Sequence, residues 1–542
     1  MKQEFFRDAV VYQIYPRSFC DSNGDGIGDI PGIISKLDYL ADLGVDILWL
    51  SPVYDSPNDD NGYDISNYRA IHKDFGTMED FERLVSEAKA RGMRIIMDLV
   101  INHTSDEHEW FKRALAGEEK YKNYYIVRHS DNGSVPNNWG NFFAECPWTP
   151  FGDAKNDEYY LHLFSKKQPD LNWHNPQVYD EVCDIMRFWL DKGIAGFRCD
   201  VINVIYKNSL ANGEKKLALT GCEHYLTTDG CHDILRRLRA DVMDQYDAFT
   251  VGETVCVDLK MANDLCAKER RELDMTFAFE HMECDQVGVK WFKTKFKPEK
   301  LMRVLTKWQN GLEWNTCYLE NHDQPRSVSR FGDDRRERVR SAQMLGGLLL
   351  TLRGTPFIYE GQEIGMTNGD FKDISEIMDI ETHNVNKSAK AMGIIEPFRW
   401  RMLKKTTRDN ARTPMQWNGG EGAGFTSGTP WLKINENHKT INAESDSADP
   451  SGVHAFYKRM IAYRKESNAL RCGSFHEVHA KGSVYIYERE AEGQKCVIAL
   501  NFSGRRQPMP ETFAGKVAMS NYMEEIKADE ALKPWEFRLI EC

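Results

Sequence analysis

Apolar runs of four to seven residues alternate with stretches of helical periodicity along the first two thirds of the chain. Eight of the runs read as buried strands: Val10–Tyr15, Ile47–Leu50, Ile95–Val100, Gly196–Asp200, Phe249–Glu253, Leu273–Phe279, Asn315–Asn321 and Pro356–Tyr359. Helical patterns fill most gaps. Asp80 to Arg91 places Phe81, Leu84, Val85 and Ala88 on one face, and Val182 to Lys192 behaves alike. Gly44, Gly92, Gly193 and Gly354 follow such stretches and suit C-terminal caps. Eight strand–helix units predict an α/β fold, a parallel (β/α)8 TIM barrel.

The gap between the third and fourth strands is too long for one helix. Residues 104–171 are rich in Asn, Gly, Pro and aromatics, as in Asn137-Asn-Trp-Gly-Asn141. They are expected to form an inserted subdomain over the barrel mouth, leaving 1–103 and 172–469 to the barrel. A polar stretch from 366 to 450 carries few periodic signals, and a helix is expected over Val453–Glu466. Beyond it, alternating runs at His476–His479, Ser483–Glu488, Cys496–Leu500 and Trp535–Ile540 predict a C-terminal antiparallel β-sandwich domain over 470–542.

A length of 542 residues also calls for more than one domain. The net charge of −13 argues against nucleic acid or an anionic membrane as the main partner and leaves a small molecule open. The start of the chain, Met1 to Asp8, lacks a signal-peptide core, and the longest apolar run, near Met344 to Leu352, is too short to span a bilayer. Thirteen Cys without a C-x-x-C pair read as reduced thiols, so a cytoplasmic protein is expected, and a monomer.

Four predicted strand ends carry polar clusters. Asp98-Leu-Val-Ile-Asn-His103 ends strand three, Arg198 and Asp200 end strand four, Thr250-Val-Gly-Glu253 ends strand five, and Glu320-Asn-His-Asp-Gln-Pro-Arg326 ends strand seven. A single Asp at such a place reads first as a turn cap. In a (β/α)8 barrel, however, these ends meet at one rim, where active sites form. Crowded carboxylates suit glycoside cleavage, in which one carboxylic acid protonates the leaving oxygen and a carboxylate acts at the anomeric carbon. A separation of about 5–5.5 Å makes the second group a nucleophile and retains configuration. A third carboxylate raises the pKa of the acid, and Arg198 is placed to keep Asp200 ionised.

In combination, Asp98-Leu-Val-Ile-Asn-His103, Gly196-Phe-Arg-Cys-Asp200, Val251-Gly-Glu253 and Asn321-His-Asp323 resemble the four signature regions of the α-amylase family, glycoside hydrolase family 13. The resemblance runs from about residue 7 to 470. It implies Asp200 as nucleophile, Glu253 as general acid/base and Asp323 as transition-state stabiliser, with Arg198, His103 and His322 around the reacting glucose. Gln168-Pro-Asp-Leu-Asn-Trp173 resembles the extra motif of the oligo-1,6-glucosidase subfamily. Thr406 to Trp417 is similar to the segment with which its exo-acting members block the far side of the first sugar. There Asp60, Tyr63, Phe164, Gln168 and Arg408 match sugar-contacting or pocket-closing positions, although Tyr63 and Phe164 taken singly read first as aromatic packing. In that subfamily Val at the position of Val201 accompanies α-1,6 preference, a bias worth about 1–3 kcal/mol for one apolar contact; ordinary strand-end packing is the alternative.

Asp21-Ser-Asn-Gly-Asp-Gly-Ile-Gly-Asp29 has oxygen-bearing residues at alternate positions and Gly at the sixth, which suits a hard cation. Gly32 at the twelfth position and Pro31 exclude an EF-hand. The loop resembles the calcium loop of the same subfamily. That implies Asp21, Asn23, Asp25, the Ile27 carbonyl and Asp29 as ligands of a structural Ca2+; Mg2+ fits the same donors, and a metal-free Asx-rich turn is the alternative. No organic cofactor is implied.

Two segments depart from the pattern of isomaltose-cleaving members, Thr254-Val-Cys-Val-Asp-Leu-Lys260 and Ala144-Glu-Cys-Pro-Trp148. Both are expected at the outer subsites. Trp291 to Lys297 does not resemble the Arg-rich motif of sucrose isomerases. The expected activity is therefore a retaining exo-α-glucosidase acting on α-1,6 bonds of isomaltose and isomalto-oligosaccharides. The alternatives are an α-1,4-glucosidase, a sucrose hydrolase or isomerase, a dextran glucosidase, a trehalose-6-phosphate hydrolase, and a non-catalytic relative of transporter heavy chains, which carry a transmembrane helix and lack the carboxylates.

Overall fold

In the computed structural model, which describes residues 4–130, 133–143, 145–153, 157–216 and 218–542, eight parallel strands wrap into a nearly closed barrel. They are β1 (Val11–Ile14), β2 (Ile47–Leu50), β3 (Arg94–Leu99), β4 (Gly196–Cys199), β5 (Phe249–Glu253), β6 (Met275–Phe277), β7 (Asn315–Cys317) and β8 (Gly354–Tyr359). Their order round the wall is β6-β5-β4-β3-β2-β1-β8-β7. At the remaining seam, Thr316 Oγ1 on β7 donates to the Thr276 carbonyl on β6 at 2.8 Å. Every residue of β1, β2, β4, β5 and β8 is buried, as strands covered on both faces require.

The expected strands six and seven are shorter than their apolar runs. Beyond the ladder, Ala278 of the first and Tyr318 to Glu320 of the second stay buried, while the last residues, Phe279 and Asn321, are half-buried. Gly354, expected as a helix cap, opens β8 instead; a Cβ there would lie 2.2 Å from the Asn315 carbonyl oxygen on β7. Gly196 opens β4 for the same reason, 2.0 Å from the Phe249 carbonyl. Only glycine permits these close backbone approaches.

Around the barrel, the helix Met78–Ala90 starts on a capping box between Thr77 and Asp80, and Pro176–Asp191 starts on Asn175 with Pro in its first turn. The polar stretch after β8 contains helices that periodicity did not announce, the longest being Ile380–Ala391 and Glu396–Thr406. Among the described residues, no helix is long and apolar enough to cross a membrane.

Between β3 and the helix Pro176–Asp191 stand two helices, Glu109–Leu115 and Glu119–Lys122, and a three-stranded antiparallel sheet of Val127–His129, Glu158–Leu161 and Trp148–Pro150. The loop after β4 joins it, which the sequence reading left out. Gly140 N donates to the Thr220 carbonyl at 3.0 Å, and the Trp139 ring stacks on His224.

The C-terminal domain is a single five-stranded antiparallel sheet, β9 (Ser474–Lys481), β10 (Val484–Ala491), β11 (Gln494–Asn501), β12 (Lys516–Ser520) and β13 (Phe537–Glu541), ordered β9-β10-β11-β13-β12. This corrects the expected β-sandwich. Tyr485, Tyr487 and Ile498 pack one face into the barrel core, while Val484, Ile486 and Val497 on the other face meet Ala528 and Leu532 of a loop. Alternating apolar residues thus need two covers, but here the barrel and the loop supply them.

Candidate active site

Asp98 and Arg198 are register partners across β3 and β4, and Val251 is the partner of Arg198 on β5. Residues two apart share a strand face, so Glu253 stands on the same side near the C-terminal rim. Arg198 is buried and forked. Its Nη1 donates to Asp200 Oδ1 at 2.6 Å, its Nη2 meets Glu253 Oε2 at 2.7 Å, and Asp98 is its third partner. Asp98 Oδ2 also accepts from Trp49 Nε1 at 2.7 Å.

One guanidinium therefore serves three carboxyls. Burial, opposed by Arg198 and reinforced by Glu253 and Asp98, pushes the Asp200 carboxyl well above the usual carboxylate range. The expectation that Arg198 alone keeps Asp200 ionised is too simple. Its charge is divided among Asp98, Asp200 and Glu253, so it does not offset the cost of burying the Asp200 carboxylate.

Immediately after Asp200 the chain turns sharply. Val201 has φ 35° and ψ 39°, in the left-handed region that β-branched residues rarely enter. The turn aims the Val201 amide at Glu253 Oε2, 3.2 Å away, while its side chain packs in the cluster of Trp148, Leu161 and Tyr225. Such strain persists where surrounding structure holds it, commonly at active sites.

Asp323 lies beyond β7, on the loop that Glu320 to Arg326 forms. Arg412 Nη2 reaches its Oδ1 at 2.7 Å, Arg408 Nη1 at 3.5 Å, and His322 Nε2 lies 3.2 Å from its Oδ2. Burial pushes this carboxyl up, but His322 and the two guanidiniums more than offset it and hold Asp323 well below the usual range. Gln13 Nε2 lies 2.8 Å from His322 Nδ1, and the Tyr63 hydroxyl lies 2.8 Å from Nε2. A donating Gln13 amide leaves the His322 proton on Nε2, toward Tyr63.

The far end of the site is closed by charge. Arg408 Nη2 meets Asp60 Oδ1 at 3.1 Å and Asp379 Oδ1 at 2.7 Å. Gln168 Nε2 lies 3.4 Å from the other Asp60 oxygen and 3.1 Å from His103 Nε2. Burial pushes His103 down to about 4, so its ring is neutral. Phe164 stacks on Phe142 with ring centroids 4.9 Å apart.

These groups surround a cavity of about 1070 Å³. Of the twelve residues expected around the sugar, ten line it; Arg198 and His322 stand behind its wall. Val255 and Cys256 of the first departing segment line it, as does Glu145 of the second, whose Ala144 lies outside the described residues. Sequence reasoning assigned no role to Asp379, Arg412 or Gln13, nor to Tyr15, whose ring stacks on His322, or to Glu381, whose Oε2 lies 3.6 Å from Arg408 Nε. Arg412 lies within the segment 406–417 and was legible there; Asp379 sits in an aperiodic stretch with no motif around it.

In the Asp21–Asp29 loop, Asp21 Oδ1 accepts from the Asn23 and Gly24 amides, Asn23 Oδ1 from Asp25, and Asp25 Oδ1 from Ile27, at 2.7–2.9 Å. Asp29 accepts from Ser22 and Gly32. Among the described residues, no group of three or more His, Cys, Asp or Glu stands close enough to hold a metal. The donors that remain are of the hard-oxygen kind, and the Asn23 amide and Ile27 carbonyl would have to complete the set.

The α-amylase catalytic-domain family model matches residues 13–473. An oligo-1,6-glucosidase of Parageobacillus thermoglucosidasius is 47% identical over 560 aligned positions, covering 99% of each chain. A trehalose-6-phosphate hydrolase of Bacillus subtilis is 42% identical, covering 98% of this chain and 97% of its own. The crystal structure of an isomaltulose synthase from Protaminobacter rubrum superposes with a TM-score of 0.96 at 40% identity over the whole of both chains. With a barrel whose strand ends gather Asp200, Glu253 and Asp323 around one cavity, the chain belongs to the α-amylase family of glycoside hydrolases.

Proposed function

We propose that the enzyme is a retaining, exo-acting α-glucosidase that hydrolyses α-1,6-glucosidic bonds at the non-reducing end of isomaltose and isomalto-oligosaccharides. The observation that carries this reading is the wall behind the glucose site, where Arg408 spans Asp60 and Asp379. A cavity closed there admits a chain end and excludes the middle of a polymer. The full-length likeness to an oligo-1,6-glucosidase supports the linkage, as does Val201 at the cavity wall.

Asp200 and Glu253 share one guanidinium fork, an arrangement suited to the close carboxyl pair of a retaining enzyme. In the proposed sequence, Glu253 gives its proton to the departing oxygen while Asp200 Oδ attacks C1 and forms a glucosyl ester. Glu253 then takes a proton from water, whose oxygen displaces Asp200 and releases α-glucose. The ionised Asp323, held by Arg412 and His322, accepts from sugar hydroxyls and steadies the positive charge that grows at C1. Neutral His103 orients the sugar without adding charge.

A hard cation, Ca2+ or Mg2+, in the Asp21–Asp29 loop is part of the proposal, with a purely structural role. A cytoplasmic setting is proposed from the thirteen unpaired cysteines.

The relative that hydrolyses trehalose 6-phosphate raises one competing substrate. Lys290 and Lys293 line the cavity but meet Glu381 at 2.5 Å and Asp285 at 3.1 Å, which favours a neutral leaving group. A substrate panel of isomaltose, panose, maltose, sucrose and trehalose 6-phosphate tests the assignment. Highest kcat/KM on isomaltose or panose is expected; preference for any of the others would overturn it.

A further inference from the structure

Trp49 lies on β2, where a buried aromatic strand residue reads first as core packing. Its register partner on β3 is Ile96, and Asp98, two residues on, shares the face of Ile96. The indole reaches across the barrel interior to stack on Phe277 of β6, ring centroids 5.6 Å apart. It meets Phe357 of β8 and His322 edge-on, at 6.2 and 6.1 Å. With its direction held by these rings, its N–H donates to Asp98 Oδ2 at 2.7 Å. The guanidinium carbon of Arg198 lies over the indole, 5.3 Å from the ring centroid.

A buried indole N–H needs a partner, and a backbone carbonyl would serve. Here the partner is the carboxyl that takes a share of Arg198 beside Asp200 and Glu253. Asp98 is fully buried; burial, opposed by Arg198 and by the Trp49 N–H, pushes it up. Loss of that charge-assisted donor favours the protonated carboxyl. The charge on Asp98 is one of the causes that push Asp200 up, so a neutral Asp98 lets Asp200 ionise at lower pH. Burial holds Tyr54, Tyr63 and Cys199 beside Asp98, and Tyr68 beside Asp200, above their ordinary values, so these groups stay neutral on the acid side. His322 also faces Asp98, and it does so whatever occupies position 49.

We infer that Trp49 is a positioning residue for the reaction: its N–H keeps Asp98 a carboxylate and thereby sets how much of the Arg198 charge is left for Asp200. The inference rests on Asp200 as the nucleophile of the α-glucosidase reading. It adds a residue that does not line the cavity and acts only along the chain Trp49, Asp98, Arg198, Asp200.

The test replaces Trp49 by 3-benzothienylalanine, which keeps the shape and aromatic face of the indole and lacks the N–H. The pH dependence of kcat/KM on isomaltose is then compared with that of the parent, because its acid limb reports the free enzyme. That limb, where protonation of Asp200 ends activity, is expected to move about one unit to lower pH, the low end of what one neighbouring charge does. Trp49→Phe, which also lacks the N–H, is expected to move it the same way; calorimetry verifies that each variant is folded. An unmoved limb in a folded isostere enzyme would make Trp49 ordinary core packing and overturn the inference. A limb moved to higher pH, or a folded isostere enzyme without activity, would overturn it too, and in each case the α-glucosidase reading would stand. A parent enzyme that leaves isomaltose uncleaved would instead sink that reading.

Discussion

Arg408 and Asp60, 348 residues apart in the chain, meet at 3.1 Å and close the deep end of the cavity. Both are buried, and Asp379 and Asp323 share the same guanidinium. Removing Arg408 would leave the buried carboxyls of Asp60 and Asp379 without their shared cation, and breaking a buried pair from one side costs about 3–5 kcal/mol. Arg408→Ala is therefore expected to lower kcat/KM on isomaltose by at least about a hundredfold and to lower Tm. Steady-state kinetics and calorimetry check this. Activity within a few fold of the parent would show that the wall is dispensable.

Val201 offers a separate test of linkage choice. It lines the cavity, and its amide, aimed by the left-handed turn, contacts Glu253. Val201→Ala keeps the amide and removes two methyl groups. The ratio of kcat/KM on isomaltose to that on maltose should fall roughly tenfold, within the range one apolar contact supplies. An unchanged ratio would assign the preference elsewhere in the cavity.

The barrel and the rim cluster were legible because the signals were local. Short apolar runs ended in Asp, Glu and His, and parallel topology then brought those ends together without any pairwise information. The clamp on Arg408 was illegible for the converse reason. Asp379 caps and Glu381 opens the helix Ile380–Ala391, whose buried residues are Glu381, Thr382 and Ala389, so no apolar stripe of 3.6-residue period announces it. The C-terminal alternation was read correctly as two-faced strands, but alternation does not say whether a sheet, a loop or the barrel covers each face.

Stability should carry a pH signature from Glu363. This carboxyl is buried beside β8, and its Oε1 accepts from the Tyr12 and Tyr39 hydroxyls at 2.9 Å each. Burial pushes it up to about 7, from an ordinary value of 4.5. The folded state thus prefers the protonated form. Its contribution is complete below pH 4.5 and is lost as pH rises through 7, by up to about 3 kcal/mol. Glu363→Gln removes the titration, so the difference in Tm between parent and variant should move in favour of the variant between pH 4.5 and 7. A difference that stays constant over that window would contradict the burial argument.

The Asp21–Asp29 loop is tested by chelation. If it holds a cation, EDTA lowers Tm and added Ca2+ restores it, since a ligand at about a hundred times its Kd adds roughly 2.7 kcal/mol. The response should vanish in Asp25→Ala. A parent enzyme whose Tm ignores both EDTA and Ca2+ would identify the loop as an Asx-rich turn.

The account stands most directly on the pairing of Asp200 with Glu253 across one arginine. Proton NMR of isomaltose hydrolysis, recorded before mutarotation, reads the outcome. Two successive displacements at C1 predict α-glucose as the first product; β-glucose appearing first would mean a single displacement by water, and Asp200 would not be the nucleophile.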